Sequence, residues 1–267
     1  MVLRLLSGAA SDTGTYRANN EDAAYSSAHG AAVADGVGGG PAGELASAVL
    51  VQRIAAEVSS PDSEEAARVL VRLSNWDLGW HTYRDPETAG MATTLTALFV
   101  GDDELILAHV GDSRAYRLRG GSLARMTRDD SYVQALVDAG MIDPIEASAH
   151  PQRNIVTASL RGGSADSDAV TVVSLEAEAG ERWLLCTDGV SDYLPEALIA
   201  EYLSIPDEPL VIAERIIRAA LDAGSHDNVT AVVCDVRNDA VITHTTEVSL
   251  VGAAAELLEG RRHNRTA

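Results

Sequence analysis

Between residues 91 and 127 the chain writes four strand-like runs in succession: MATTLTALFV, ELILAHV, RAYRLR and SLARMT. The last two are separated by Gly120-Gly121, a hairpin turn signal. Two helical stretches come before this block. GELASAVLVQRIAAEV spaces Leu45, Val49 and Ala56 near helical period, with Pro41 ahead of it, where a first helical turn tolerates proline. A second helix is expected to open at Asp62, because Asp62-x-x-Glu65 has the capping-box form, and to run toward Trp80. Ahead of both, AAVADG closes a hairpin-like start. After the block, residues 129–140 read as a helix ending on Gly140. Strands return with AVTVVSL and RWLLCTDG, followed by helices at 195–204 and 208–223 and a last strand, NVTAVVCDV. Strands and helices are grouped instead of alternating. That grouping predicts an α+β fold of stacked antiparallel sheets covered by helices. Residues 141–168 show no period, and a stretch of that length inside a domain reads as a functional excursion or flap. Residues 238–267 carry only the weak apolar patch VSLVGAAAELL and an Arg-rich end, so they are expected to be a poorly ordered tail after a domain spanning 1–237.

A chain of 267 residues can bury a full core without disulfides or a structural metal. Cys186 and Cys234 each stand inside an apolar run and read as reduced core thiols. No apolar run approaches the roughly 20 residues of a membrane span. The N-terminus also lacks the apolar core of a signal peptide, so the expected location is the cytoplasm. The net charge is −20, and all 20 basic residues are arginines. That balance argues against nucleic acid as a partner, since its binding needs a positive footprint. It also rules out the phosphate-binding loop that ends in Gly-Lys.

Most of the acid is solvated surface, but four aspartates share a placement. Asp35 and Asp188 each end an apolar run and are followed by glycine. Asp112 follows ELILAHV and Gly111. Asp227, with Asn228, stands just before the last strand. One Asp-Gly is ordinarily a turn. Four at the ends of core strands would repel one another unless a cation neutralised them. Carboxylates without a Cys/His cluster suit hard Mg²⁺ or Mn²⁺ better than Zn²⁺. Two such ions can activate a water and stabilise displacement at a phosphoryl ester. No Gly-x-Ser-x-Gly elbow or Cys-His pairing offers another nucleophile.

In order, the chain reads SDTGTYRANNED, VADGVGGGPAGE, GMATTLTALFV, LAHVGDSRAYRLRGG, MTRDDSYVQALVDAG, HPQRN, LLCTDGVSDYL and SHDNVTAVV. Across residues 7–237 this resembles the type 2C metal-dependent Ser/Thr protein phosphatases of the compact bacterial kind. The resemblance implies a four-layer α-β-β-α sandwich and the hydrolysis of phosphoserine and phosphothreonine in proteins. It implies two core Mn²⁺ or Mg²⁺ ions: Asp35 bridging them, the Gly36 carbonyl on one, and Asp188 and Asp227 on the other. Glu21 and Asp22 would hold metal-bound waters, Arg17 the substrate phosphate, and Asp112 with Asp188 a third ion. The implied partners are phosphorylated proteins and the Ser/Thr kinases that make them, with the chain acting as a monomer.

The chain departs from the family in places. Val37 stands where eukaryotic members have the histidine proposed as general acid, so no acid is assigned. Near Ala158, IVTASLRGG lacks a basic residue common in relatives, and no sensor or membrane segment is read after the domain. Two other readings of the same fold are a catalytically silent binding domain and a phosphatase dedicated to one anti-sigma-antagonist-type regulator. The presence of all four aspartates favours the enzyme over the silent domain.

Overall fold

The computed structural model describes residues 2–37, 42–57, 60–239 and 247–266, the side chains of 2, 239 and 261–266 excepted. Two antiparallel sheets form its centre. One has five strands in the order β1-β10-β9-β6-β7. They are β1 (Val2–Asp12), β10 (Val229–Asp239), β9 (Arg182–Cys186), β6 (Arg114–Arg119) and β7 (Ser122–Arg125). The other has six, in the order β11-β2-β3-β4-β5-β8: β11 (Ser249–Gly252), β2 (Asp22–Ser26), β3 (Gly30–Asp35), β4 (Leu95–Val100), β5 (Glu104–Val110) and β8 (Thr171–Glu176). The expected α+β sandwich is present, and the Gly120-Gly121 turn closes the β6–β7 hairpin by pairing Arg119 with Ser122.

Why the strand runs read as continuously apolar is clear from the layering. In β3, Ala31 and Val33 face the space between the sheets, where Leu98, Leu105, Trp183 and Val232 also lie. Ala32 and Ala34 face outward, under the helices α1 (Gly43–Ala55) and α2 (Glu64–Arg84). On the five-stranded side, Ala231 and Val233 of β10 face α6 (Glu196–Leu203) and α7 (Pro209–Asp222), while Val232 and Cys234 face the inter-sheet core. Strands covered on both faces need apolar residues at every position. Cys186 and Cys234 are both buried and free, and they fall in different layers.

Several boundaries differ from the sequence reading. Helix α2 is capped by Ser63, not Asp62: Ser63 takes the extended conformation of an N-cap and its hydroxyl accepts from the Ala66 amide at 3.3 Å. Helix α3 (Tyr132–Asp138) begins later than Asp129, because Ser131 caps it and the two aspartates before it are engaged elsewhere. The stretch 141–168 contains a capped turn, α4 (Pro144–Ser148), and meets the body through the Ser131–Val156 and Thr93–Leu160 bridges. Pro41 lies outside the described residues. The first eleven-residue strand, β1, pairs along the whole of β10, from Val2–Asp239 to Asp12–Val229. Gly8 lets α7 close on it, since a Cβ there would stand 2.3 Å from the Leu210 amide nitrogen.

The expectation of a poorly ordered tail is corrected for the part described. β11 pairs with the outer edge of β2, joining Leu250 to Tyr25 and Gly252 to Ala23. Helix α8 (Ala253–Thr266) then lies on α1, with Ala253 and Ala254 buried and the Gln52 side chain donating to the Ala254 carbonyl at 2.7 Å. The patch VSLVGAAAELL is too short to show a period of its own. It orders because β2 offers an unpaired edge, and a free edge is satisfied by any strand that reaches it. No described helix is long and apolar enough to cross a membrane.

Candidate metal and phosphate site

All of the singled-out residues gather at one end of the sandwich, at strand ends or in the turns beside them. Asp22 and Asp35 are cross-strand partners at the open end of the β2–β3 hairpin, so the antiparallel register itself sets two carboxylates side by side. The Asp35 amide donates to the Thr94 hydroxyl at 3.0 Å, and the Asp35 carbonyl accepts from the Thr93 hydroxyl at 2.9 Å. Asp22 accepts from the Thr187 hydroxyl at 2.8 Å across the two sheets. Asp188 opens the short turn α5 (Asp188–Ser191) immediately after β9. Gly111, at a φ of +107°, holds the turn that presents Asp112, and its amide donates to the Asp130 carboxylate at 3.0 Å.

The glycines after the aspartates answer to close backbone approaches, not turns. A Cβ on Gly189 would stand 1.9 Å from the Asn228 carbonyl oxygen, and one on Gly36 would stand 2.4 Å from the Gly43 carbonyl oxygen. Asn228 is a hub for the rim: its side chain accepts from the Glu21 amide at 2.8 Å and donates to the carbonyls of Thr13 and Asn19. Beside it, Arg17 donates to Asp227 at 2.7 Å, with the guanidinium side chain 41% exposed. The Gly36 carbonyl and the Glu21 carboxylate meet over Gly43, where a Cβ would come within 3.2 Å of both.

Burial is the first cause that raises the carboxyl pKa values here, and mutual repulsion is the second. Asp22 is pushed up to about 8 by burial, against hydrogen bonds from Thr187 and Thr230. Asp188 is pushed up to about 7 by burial, then by Asp227 and Asp192. Asp35 is raised well above the usual range by burial and then by Asp22, Asp188, Asp112 and Asp227, and Asp112 by burial and then by Asp188, Asp129 and Asp192. Burial of Arg17 opposes its charge, but Asp227 outweighs it and the guanidinium pKa is raised. The Asp188 Oδ1 atom is buried and has no hydrogen-bond partner. A buried carboxylate oxygen left without a donor is costly unless a cation faces it.

Among the described residues, no three Asp, Glu, His or Cys side chains form a finished cage around one point. The buried carboxylates act on one another: Asp188 raises the pKa of both Asp35 and Asp112, and Asp112 also raises that of Asp35. An all-oxygen donor set, an orphaned buried oxygen and mutually raised acids fit hard divalent cations.

A model of the family described as protein phosphatase 2C matches residues 16–213. The chain belongs to the protein phosphatase 2C family. Its relatives include the serine/threonine protein phosphatase PstP of Mycobacterium tuberculosis, 44% identical over 239 residues, a match that covers 88% of this chain and 45% of that protein. The chain thus spans about half the length of that relative. Protein phosphatase PhpP of Streptococcus pneumoniae is 31% identical over 243 residues, covering 85% of this chain and 96% of the relative. Among solved structures, the M. tuberculosis phosphatase PstP/Ppp superposes with a TM-score of 0.82 at 42% identity, over 88% of this chain and all of that one. The PstP catalytic domain in complex with two manganese ions gives 0.80 at 41% identity, with the same shares of each chain.

The sequence pattern singled out the acids that the fold brings together and carried no sign of the side chains that hold them. Thr93, Thr94 and Thr187 lie in apolar strand contexts where a hydroxyl carries no signal. Asn228 stood next to Asp227 in the sequence, but its contacts to residues 13–21 span more than 200 positions. Asp129 was read as helix. It instead accepts from Arg114 at 2.7 Å and from Arg125, closing the base of the flap beside Asp112.

Proposed function

We propose that this chain hydrolyses the phosphoserine and phosphothreonine that Ser/Thr kinases form in proteins, acting as a monomer in the cytoplasm. The observation that carries the reading is the buried Asp188 carboxylate oxygen without a partner, among acids that raise one another, together with the Arg17–Asp227 pair. Asp35, Asp188 and Asp227, with the Gly36 carbonyl, would hold two Mn²⁺ or Mg²⁺ ions. Asp112 with Asp188 would hold a third, and Glu21 and Asp22 would orient waters. When bound, such ions supply the positive charge that lets a protein of −20 accept a phosphate dianion, and they lower the pKa of water into the neutral range.

The chain's own groups do the placing. Thr93 and Thr94 fix Asp35 by its backbone, and the Thr187 hydroxyl donates to the Asp22 carboxylate and so restrains it. Arg17 presents a fork of N–H donors at the rim for phosphate oxygens, restrained by Asp227 so that little side-chain freedom is lost on binding. Val37, at the position of the eukaryotic histidine, offers no proton.

The test is metal removal. Hydrolysis of p-nitrophenyl phosphate is expected to vanish in EDTA and to return with Mn²⁺ or Mg²⁺; turnover by exhaustively stripped protein would sink the mechanism. A thermal readout independent of activity goes with it. Acids raised in the folded state bind protons there that the unfolded chain has released. Metal-free stability therefore falls as pH rises from about 4 through the folded values near 7 to 8. Added Mn²⁺ competes with those protons, so it should raise the melting temperature more at pH 8 than at pH 5. An equal rise at both would detach the ion from these carboxylates.

Arg17→Ala should raise KM for p-nitrophenyl phosphate more than it lowers kcat, by roughly tenfold or more if a charged bidentate contact is lost. Unchanged kinetics would make Arg17 a surface residue.

A further inference from the structure

Three rings stand in a row along one rim of the site. Tyr16 and His226 lie with centroids 4.1 Å apart at 50°, and Tyr193 lies 6.3 Å beyond His226 at 57°. The Tyr193 hydroxyl accepts from the His226 amide at 3.1 Å. These rings are not core. Tyr16 is 65% exposed, His226 is exposed and Tyr193 is half-buried.

The row is rigidly tied to the phosphate-binding rim. Tyr16 precedes Arg17 and His226 precedes Asp227, so the ring contact and the ion pair are successive rungs between the same two segments. Gly14, at a φ of +73°, brings the first segment onto the second: a Cβ there would be 2.7 Å from the Asp227 carbonyl oxygen. At the other end, Asp192 precedes Tyr193 and pairs with Arg153 of the flap at 3.4 Å. The ring row therefore runs from Arg17 to the flap base. A peptide whose phosphate sits at Arg17 has its neighbouring side chains within reach of these rings.

The chemistry of the row selects a cation. Ring faces attract guanidinium and ammonium groups. At each end of the rings the carboxylate is already paired with an arginine, Asp227 with Arg17 and Asp192 with Arg153, so the local ends are near balance. The preference rests on the ring faces and on the molecule's net charge of −20. An anionic neighbour gains nothing from the negative ring faces and meets the net field of the molecule, and an aliphatic one gains only contact area.

We propose that the Tyr16–His226–Tyr193 row is a subsite for an Arg or Lys side chain flanking the phosphorylated residue. The inference rests on the phosphatase reading. These residues position the peptide and take no part in bond breaking.

The experiment uses the full chain with Mn²⁺ and phosphothreonine peptides on an Ala/Ser background. One Arg is moved through the three positions on each side of the phosphoresidue. At one position or more, Arg should raise kcat/KM about threefold to tenfold, mainly through KM. Tyr16→Ala should reduce that preference to near one and Tyr16→Phe should keep it. His226→Leu should weaken it independently if Tyr16→Ala does not fold. The preference is a ratio of two substrates on one variant, so a loss of stability alone does not move it. Turnover without an Arg preference, or a preference that Tyr16→Ala and His226→Leu both leave intact, overturns the subsite alone. Failure to hydrolyse any peptide or p-nitrophenyl phosphate overturns the phosphatase reading, and the subsite with it.

Discussion

Asp188→Ala should abolish hydrolysis of every phosphate ester, a loss expected at about a thousandfold or more if divalent-ion catalysis is removed. Asp188 acts on more of the buried carboxylates than its neighbours in sequence suggest. Burial and then Asp227 and Asp192 raise its pKa, it raises those of Asp35 and Asp112 in turn, and its Oδ1 has no hydrogen-bond partner. The same substitution should make the metal-free protein more stable above pH 7, because it deletes a buried carboxylate whose charge is disfavoured there. That opposite pair of effects separates a site residue from a structural one: a structural Asp would lose stability and activity together. Asp35→Ala should likewise abolish turnover. Asp112→Ala is different, since Asp112 lines one cavity with Asp129, Asp192 and Arg153 of the 141–168 stretch. It should keep two bound ions by metal analysis, with kcat and kcat/KM falling together. Loss of the two core ions in Asp112→Ala would show that the role given to Asp112 is wrong, and full activity would make its turn purely structural.

Truncation after residue 239 should lower the melting temperature by roughly 6–12 °C, taking a loss of about 3 kcal/mol and 2–4 °C per kcal/mol for a domain of this size. The truncation removes the β11 pairing to β2, exposes the faces that Ala253 and Ala254 cover, and leaves the Gln52 amide without the Ala254 carbonyl. Leu250 and Leu257 also leave the core beneath α1. The site should feel it too, since Gly252 packs so tightly on the Asp22 carbonyl that a Cβ would stand 2.3 Å away. A bare β2 edge should also promote association through strand pairing. A melting temperature within about 1 °C of the full chain, with unchanged activity, would return the segment to the status of a loose tail.

The acids and the architecture were legible because both are written in local pattern. Runs such as ELILAHV and TAVVCDV must lie in strands covered on both faces, and an aspartate placed at the end of such a run is committed to the edge of the core. Grouped strands and grouped helices left little besides a layered sandwich. What tertiary structure alone decided are the partners across long separations. β1 pairs with a strand more than 200 residues away, Asn228 ties together the loop that carries Arg17, and β11 finds the free edge of β2. None of these has a local signal, because a hydrogen-bonding backbone edge or a lone Asn looks the same in any sequence context. The Asp-Gly pairs show the division most clearly. The sequence specified that a small residue follows each carboxylate, and only the folded chain shows that the space is taken by the carbonyls of Gly43 and Asn228.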